Sequence, residues 1–129
     1  MTEGVRVWHW VGRTAVHVFH DSQIAEHGGL PEIRDDAALE NALARPKNKA
    51  AYEEDAPNLA AAYLLGIARN HPFSDGNKRT AWVVACTFLF LNGYDLHSEV
   101  PDFVTFTNDV AAGAIAEAQA AEWFRIRLQ

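Results

Sequence analysis

His71-Pro72-Phe73-Ser74-Asp75-Gly76-Asn77-Lys78-Arg79-Thr80 sets five polar, chemistry-bearing side chains between two of the most apolar stretches of the chain. Upstream, Leu59, Tyr63 and Ile67 recur every four residues, and Leu64 and Ala68 widen the stripe. That spacing predicts a helix with one broad face turned inward, opened by Pro57 in its first turn. Pro72 disfavours helical geometry in the residue before it, so this helix ends at about His71. Downstream, a second helix opens near Asp75 to Asn77 and runs through Ala81–Leu91. Asn92-Gly93 supplies its C-terminal cap. Its apolar residues occupy nearly every side, which predicts a central, buried helix after the motif loop.

Working outward, the pattern stays helical. Val5 to Val11 partly alternates and is rich in Val and Trp, which suits a short strand or an extended arm. Val16, Phe19, Ile24 and Ala25 follow near helical spacing, and Gly28-Gly29 stops that helix at about His27. Asp35 and Asp36 are good capping residues before Ala37–Leu43, a run of strong helix formers that Pro46 is expected to close. The polar stretch from Pro46 to Asp55 reads as an exposed loop. Val100 to Val110 and Ile115 to Leu128 read as amphipathic helices, with Phe103, Phe106, Val110, Ala118, Trp123 and Ile126 facing inward. The expectation is an all-α, compact bundle of about six helices with little sheet.

Nothing divides the 129 residues. There is no repeat, polyproline run or Gly/Ser linker, so a single domain over 1–129 is expected. Hydrophobic residues make up 49% and charged residues 22%, an ordinary globular balance. The net charge of −6 argues against nucleic acid as a direct partner, since phosphate backbones call for a basic face. One cysteine, Cys86, permits neither an internal disulfide nor a cysteine zinc cluster, and fits a reducing, cytoplasmic setting. No secretory signal is expected from Met1–Arg6. The longest apolar stretch is about half of the roughly 20 residues a membrane helix needs, so no membrane association is expected.

The crowding of His71, Asp75, Asn77, Lys78 and Arg79 at a helix junction calls for a reason. A helix start offers unpaired backbone N–H groups and the positive end of the dipole, which favours an anion. Gly76 permits close backbone approach, and Lys78 and Arg79 add charge and a guanidinium fork suited to phosphate oxygens. Cations there oppose the dipole by roughly 0.3–1 kcal/mol each, so an anionic ligand is the natural compensation. Asp75 can cap the helix or serve as the lone carboxylate of a largely hydrated magnesium ion. His71, just across the loop, can accept a proton from a hydroxyl approaching a bound phosphate. Phe73 is the apolar pin of the loop, and Ser74 can face solvent.

Plainer readings stand beside these. A histidine at a helix end is commonly a cap or a surface residue, and Lys78 and Arg79 could be solvated charge. That reading leaves His-Pro-Phe unexplained. His17 and His20, with Asp21, offer half a metal site without further ligands, so structure or surface is the better reading. His9, His27 and His97 lack supporting partners in sequence. Trp82, Phe88 and Phe90 are expected in the core.

The run His71–Thr80 resembles the signature of the Fic/Doc family, specifically its Doc, or death-on-curing, toxin branch. Ile24-Ala25-Glu26-His27-Gly28-Gly29-Leu30-Pro31, Leu39-Glu40-Asn41-Ala42-Leu43-Ala44-Arg45-Pro46 and Phe88-Leu89-Phe90-Leu91-Asn92-Gly93-Tyr94 resemble Doc-type segments in the same order. The likeness thus covers nearly the whole chain. It implies an all-α Fic fold with His71 as base and Asp75 helping to hold Mg2+. Gly76, Asn77, Lys78 and Arg79 would then bind ATP, with Lys78 and Arg79 acting in catalysis. AMP-transferring Fic enzymes carry Gly where this chain has Lys78. Doc-type enzymes seat ATP so that the γ-phosphoryl group moves, to a threonine of elongation factor Tu, which halts translation. The type member of the Doc branch carries Ala in place of Gly76 and a residue other than Pro72, so this motif sits slightly nearer the general Fic pattern.

Self-inhibited members of the family carry a Ser/Thr-x-x-x-Glu-Gly/Asn helix. No such match occurs here: Glu40-Asn41 has Asp36 four residues ahead, and Glu3-Gly4 lies too near the start. The resemblance therefore implies control by another chain, a Phd-like antitoxin of a type II toxin–antitoxin system. The leading reading is a toxin kinase. The alternatives are a Fic-type protein adenylyltransferase on the same residues and a catalytically silent module that holds a phosphate or a partner. The Pro46–Asp55 loop is a candidate for target docking or an ordinary connector.

Overall fold

A computed structural model describes residues 7–52 and 54–128. Its elements are α1 (Arg13–His27), α2 (Asp36–Ala50), α3 (Ala56–Asn70), α4 (Asn77–Leu91), α5 (Val100–Ala111) and α6 (Glu117–Arg125). Among the described residues there is no strand, and only two isolated antiparallel bridges, Ile33 with Phe73 and Leu96 with Leu128. The expected all-α bundle of six helices is what forms.

Local chemistry accounts for the helix ends. Gly28 closes α1 by donating its N–H to the Ile24 carbonyl at 2.7 Å. The Asp35 carboxylate caps α2 by accepting from Ala38 N at 3.0 Å. Asp55 does the same for α3 through Asn58 N at 3.1 Å, with Pro57 in the first turn. Each such cap contributes about 1 kcal/mol.

Two expectations around Pro46 shift. Pro46 does not close α2: the helix continues through it to Ala50, with Pro46 buried. Its missing N–H leaves one helical hydrogen bond unmade. Arg45 and Lys49, on either side of Pro46, both ion-pair with Glu117 at the start of α6, and these ties hold the last turn in place. The connector is accordingly Ala51–Asp55, of which Glu53 lies outside the described residues. Residues 1–6, the start of the expected N-terminal strand or arm, lie outside them too. From Val7 to Gly12 the chain is an extended arm without strand pairing.

The helix buried on every side is α3, before the motif loop. Every residue from Ala56 to Ala68 except Asn58 is buried, so the expected single inward face becomes a whole circumference. Gly66 lies so close to α2 that a Cβ there would stand 3.1 Å from the Ala42 Cα. α4 packs against α1, α3 and α5. It buries Ala81, Val84, Ala85, Phe88 and Leu89 yet keeps an outer stripe, and Phe90, expected in the core, is 74% exposed. In α6 the buried set is Ala120, Ala121 and Phe124, whereas Ala118 is exposed and Ile126 lies beyond the helix end. Trp123, expected inward, is partly buried and packs against the core.

The arm is pinned to the core. Tyr63 accepts from Val11 N at 3.0 Å and donates to Val11 O at 3.3 Å. Burial pushes its phenol up to about 12, so it stays a neutral donor. Asn92 exchanges two 2.9 Å hydrogen bonds with the backbone of His9, and Trp10 stacks on Phe88.

Candidate active site

The motif residues form the turn between α3 and α4, and each half of that turn is held by side chains distant in sequence. His71 is the C-cap of α3, in left-handed geometry with φ 48° and ψ 58°. Its carbonyl accepts from Arg34 Nε at 2.7 Å, and that of Asn70 from Arg34 Nη2 at 2.9 Å. The Pro72 carbonyl accepts from the backbone N–H groups of Arg34 (2.8 Å) and Asp35 (3.0 Å), and Ser74 N donates to Glu32 O. The connector between α1 and α2 thus runs alongside the loop and fixes its backbone.

Phe73 is the expected pin: it is wholly buried. His20 of α1, also buried, stacks on it with ring centroids 3.7 Å apart and 10° between planes. The Nε2 of the same imidazole lies 2.8 Å from the Asp75 carbonyl oxygen, a geometry in which Nε2–H donates. His20 is therefore a structural residue of the loop. With His17, which takes a hydrogen bond from Arg13, it builds no metal site. No group of three or more His, Cys, Asp or Glu able to hold a metal occurs among the described residues.

Asn77 closes the loop internally. Its side-chain oxygen accepts from Phe73 N at 3.0 Å and its amide donates to Phe73 O at 2.8 Å. The side chain shapes the loop, and what it offers a ligand at the helix start is its backbone. Asp75 does not cap α4 with its side chain. The N-cap is Gly76, left-handed at φ 78°, and no side chain caps the helix. Asp75 Oδ2 instead accepts from Leu30 N at 2.7 Å.

The first turn of α4 opens onto a cavity of about 700 Å³. Gly76, Asn77, Lys78 and Arg79 form one part of its wall, Gln23, Glu26 and His27 of α1 another, and α5 contributes Val100, Phe103, Val104, Thr107 and Asn108. His71 and Asp75 are exposed on the loop and are not part of this wall. Lys78 and Arg79 are exposed and have no hydrogen-bond or ion-pair partner among the described residues. By contrast, Arg13, Arg34, Arg45, Lys49, Arg69 and Arg125 are all engaged. An uncapped helix start, two cations without partners among the described residues and a cavity are the physical elements that favour an anion. Trp82 also lines the cavity, with Phe103 stacked on it at 4.6 Å and Phe124 nearly parallel to it at 6.1 Å. It is partly buried and packs against the core, so it is both a core neighbour and part of the cavity wall.

The donor set is compatible with magnesium: Asp75 is a single exposed carboxylate with one oxygen hydrogen-bonded, the arrangement of an ion that keeps most of its waters. Sequence reasoning missed Arg34, and it gave His20 no role in the loop. Both act through contacts across 37 and 55 residues, and neither carries a local signal.

A model of the Fic/DOC family matches residues 10–89. A protein of Escherichia phage P1 named "Protein kinase doc" is 37% identical over 108 residues, which are 82% of this chain and 85% of that protein. A protein of Mycolicibacterium smegmatis named "Toxin Doc" is 49% identical over 76 residues, 56% of this chain and 58% of that protein.

Proposed function

The chain belongs to the Fic/Doc family, and from that premise we propose that it is a Doc-type toxin that transfers the γ-phosphoryl group of ATP to a protein hydroxyl. The proposed acceptor is a threonine of elongation factor Tu, and the consequence is arrested translation in the cytoplasm. The observation that carries this reading is the pair of unpaired cations, Lys78 and Arg79, on the cavity wall at an uncapped helix N-terminus. Phosphoryl transfer depends almost wholly on positioning and on neutralising charge at the phosphates, which is what such a site offers.

In this reading the first-turn N–H groups of α4 and the Arg79 fork hold phosphate oxygens, and Gly76 lets them approach the backbone. Lys78 sets which phosphorus faces the acceptor. His71 takes the proton from the acceptor hydroxyl as the new P–O bond forms and the bond to the ADP oxygen breaks. Asp75 would hold Mg2+, whose charge would neutralise the phosphates. Control falls to a partner chain, a Phd-like antitoxin. The names of the two relatives, a kinase and a toxin, support the class.

The rival is adenylyl transfer on the same residues. Incubation with elongation factor Tu and ATP labelled at the α or the γ phosphorus separates the two. Label from γ alone is expected, and label from α alone would sink the kinase reading. A merely binding module predicts that His71→Ala leaves growth inhibition intact, whereas the enzyme reading predicts that inhibition disappears.

A further inference from the structure

We propose that Arg34 is a positioning residue for His71, an inference that rests on His71 being the proton acceptor. His71 is the one non-glycine residue with positive φ among the described residues. Left-handed geometry crowds a Cβ against its own backbone, and a helix end that only needs to turn is served best by glycine. A histidine there persists only where its surroundings hold it.

Arg34 is what holds it. The rotations φ and ψ of His71 relate two peptide planes, the one carrying the Asn70 carbonyl and the one carrying its own. Arg34 Nη2 donates to the first oxygen at 2.9 Å and Nε to the second at 2.7 Å. Both donors belong to one rigid, planar guanidinium, so the angle between the two peptide planes is fixed by a covalent template. The next carbonyl, that of Pro72, is taken by the backbone N–H groups of Arg34 and Asp35. Three successive carbonyls are thus gripped by two residues, and the imidazole leaves the chain in one direction. A lysine would keep the charge and lose the template. The remaining grip on Pro72 uses backbone alone and survives any substitution of Arg34 other than proline.

The test is steady-state transfer to elongation factor Tu from ATP labelled at either phosphorus, for the parent, R34A and R34K. We expect R34A to lower kcat by about 10- to 100-fold while KM for ATP changes by less than about twofold, since the phosphate residues lie on α4. R34K should fall nearly as far, and guanidinium ion at millimolar concentration should restore part of the R34A rate. In a His71→Ala background R34A should have no further effect, because both changes remove one device. Circular dichroism checks folding, and if R34A does not fold, R34K carries the comparison. Parental kcat in the folded variants, or a raised KM at unchanged kcat, overturns the proposal. Label from α in the parent overturns the kinase reading alone, because the variants are then compared on that label. Transfer of neither label by the parent overturns both.

Discussion

His20 and Phe73 lie ring on ring, 3.7 Å between centroids, while the His20 Nε2 meets the backbone oxygen of Asp75 at 2.8 Å. One side chain of α1 therefore holds both the apolar pin of the motif loop and the peptide that precedes the α4 N-terminus. The two holds are separable, because a ring can stack without donating.

His20→Phe should keep the stack and leave the part-buried Asp75 carbonyl without its donor, lowering stability by about 0.5–1.5 kcal/mol. His20→Ala removes ring and donor together and should lie near the upper end of that range or beyond it. His20→Gln, which can reach with an amide N–H, should recover part of the difference between them. Urea unfolding of the variants checks the order, and equal losses in all three would refute a separate contribution from the hydrogen bond.

Gly29 sets the distance between the connector and Asp75. Its φ is 120°, and a Cβ there would stand 2.9 Å from the Asp75 Cβ, closer than side chains tolerate. Gly29→Ala should lower stability by about 1–3 kcal/mol and displace the carboxylate. The consequence for the proposed chemistry is a raised Mg2+ requirement, read by titrating the ion in the transfer assay. An unchanged Mg2+ dependence would remove Asp75 from that role.

The helices were legible wherever the signal was local. Asp35 before Ala37-Ala38-Leu39, Pro57 in a first turn, Gly28 after His27 and Pro72 after His71 each act within four residues, and each marks a boundary that forms. What was not legible depends on partners far along the chain. Pro46 reads as a stop because its own turn loses a hydrogen bond, yet Glu117, 72 and 68 residues from Arg45 and Lys49, keeps the helix going. The same holds at the site. The motif names His71, Asp75, Lys78 and Arg79, but nothing near Arg34 or His20 says that they hold the loop. Asn77 shows the converse: it reads as a phosphate ligand by its place in the motif, and its side chain is bonded to Phe73.

Glu117 makes stability depend on acid. Burial works against its ionised form, but Lys49 and Arg45 outweigh burial and hold the carboxyl below its ordinary value. A carboxyl lowered on folding contributes stability that is fully present above its unfolded value and is lost as pH falls through the folded one. Glu117→Gln should therefore be less stable than the parent at pH 7. The gap should close as the solution is acidified through and below the usual carboxylate range. Thermal melts of both proteins across that range check the sign, and a gap that widens in acid would contradict it.

Lys78 should separate activity from stability. It is exposed, has no partner among the described residues, and sits in the first turn of α4, where a positive charge opposes the helix dipole. Lys78→Ala removes that opposition without removing a contact, so unfolding should shift by no more than about 0.5 kcal/mol. Lys78→Glu should stabilise the helix by about 0.3–1 kcal/mol. Both should abolish phosphoryl transfer, because an acidic or neutral first turn no longer offsets the phosphate charge that the reaction concentrates there. A variant that gains stability and loses activity has lost a residue kept for its ligand, since the fold is better without it. Parental transfer rates in Lys78→Ala would show instead that the lysine is surface charge and that the choice of phosphorus lies elsewhere.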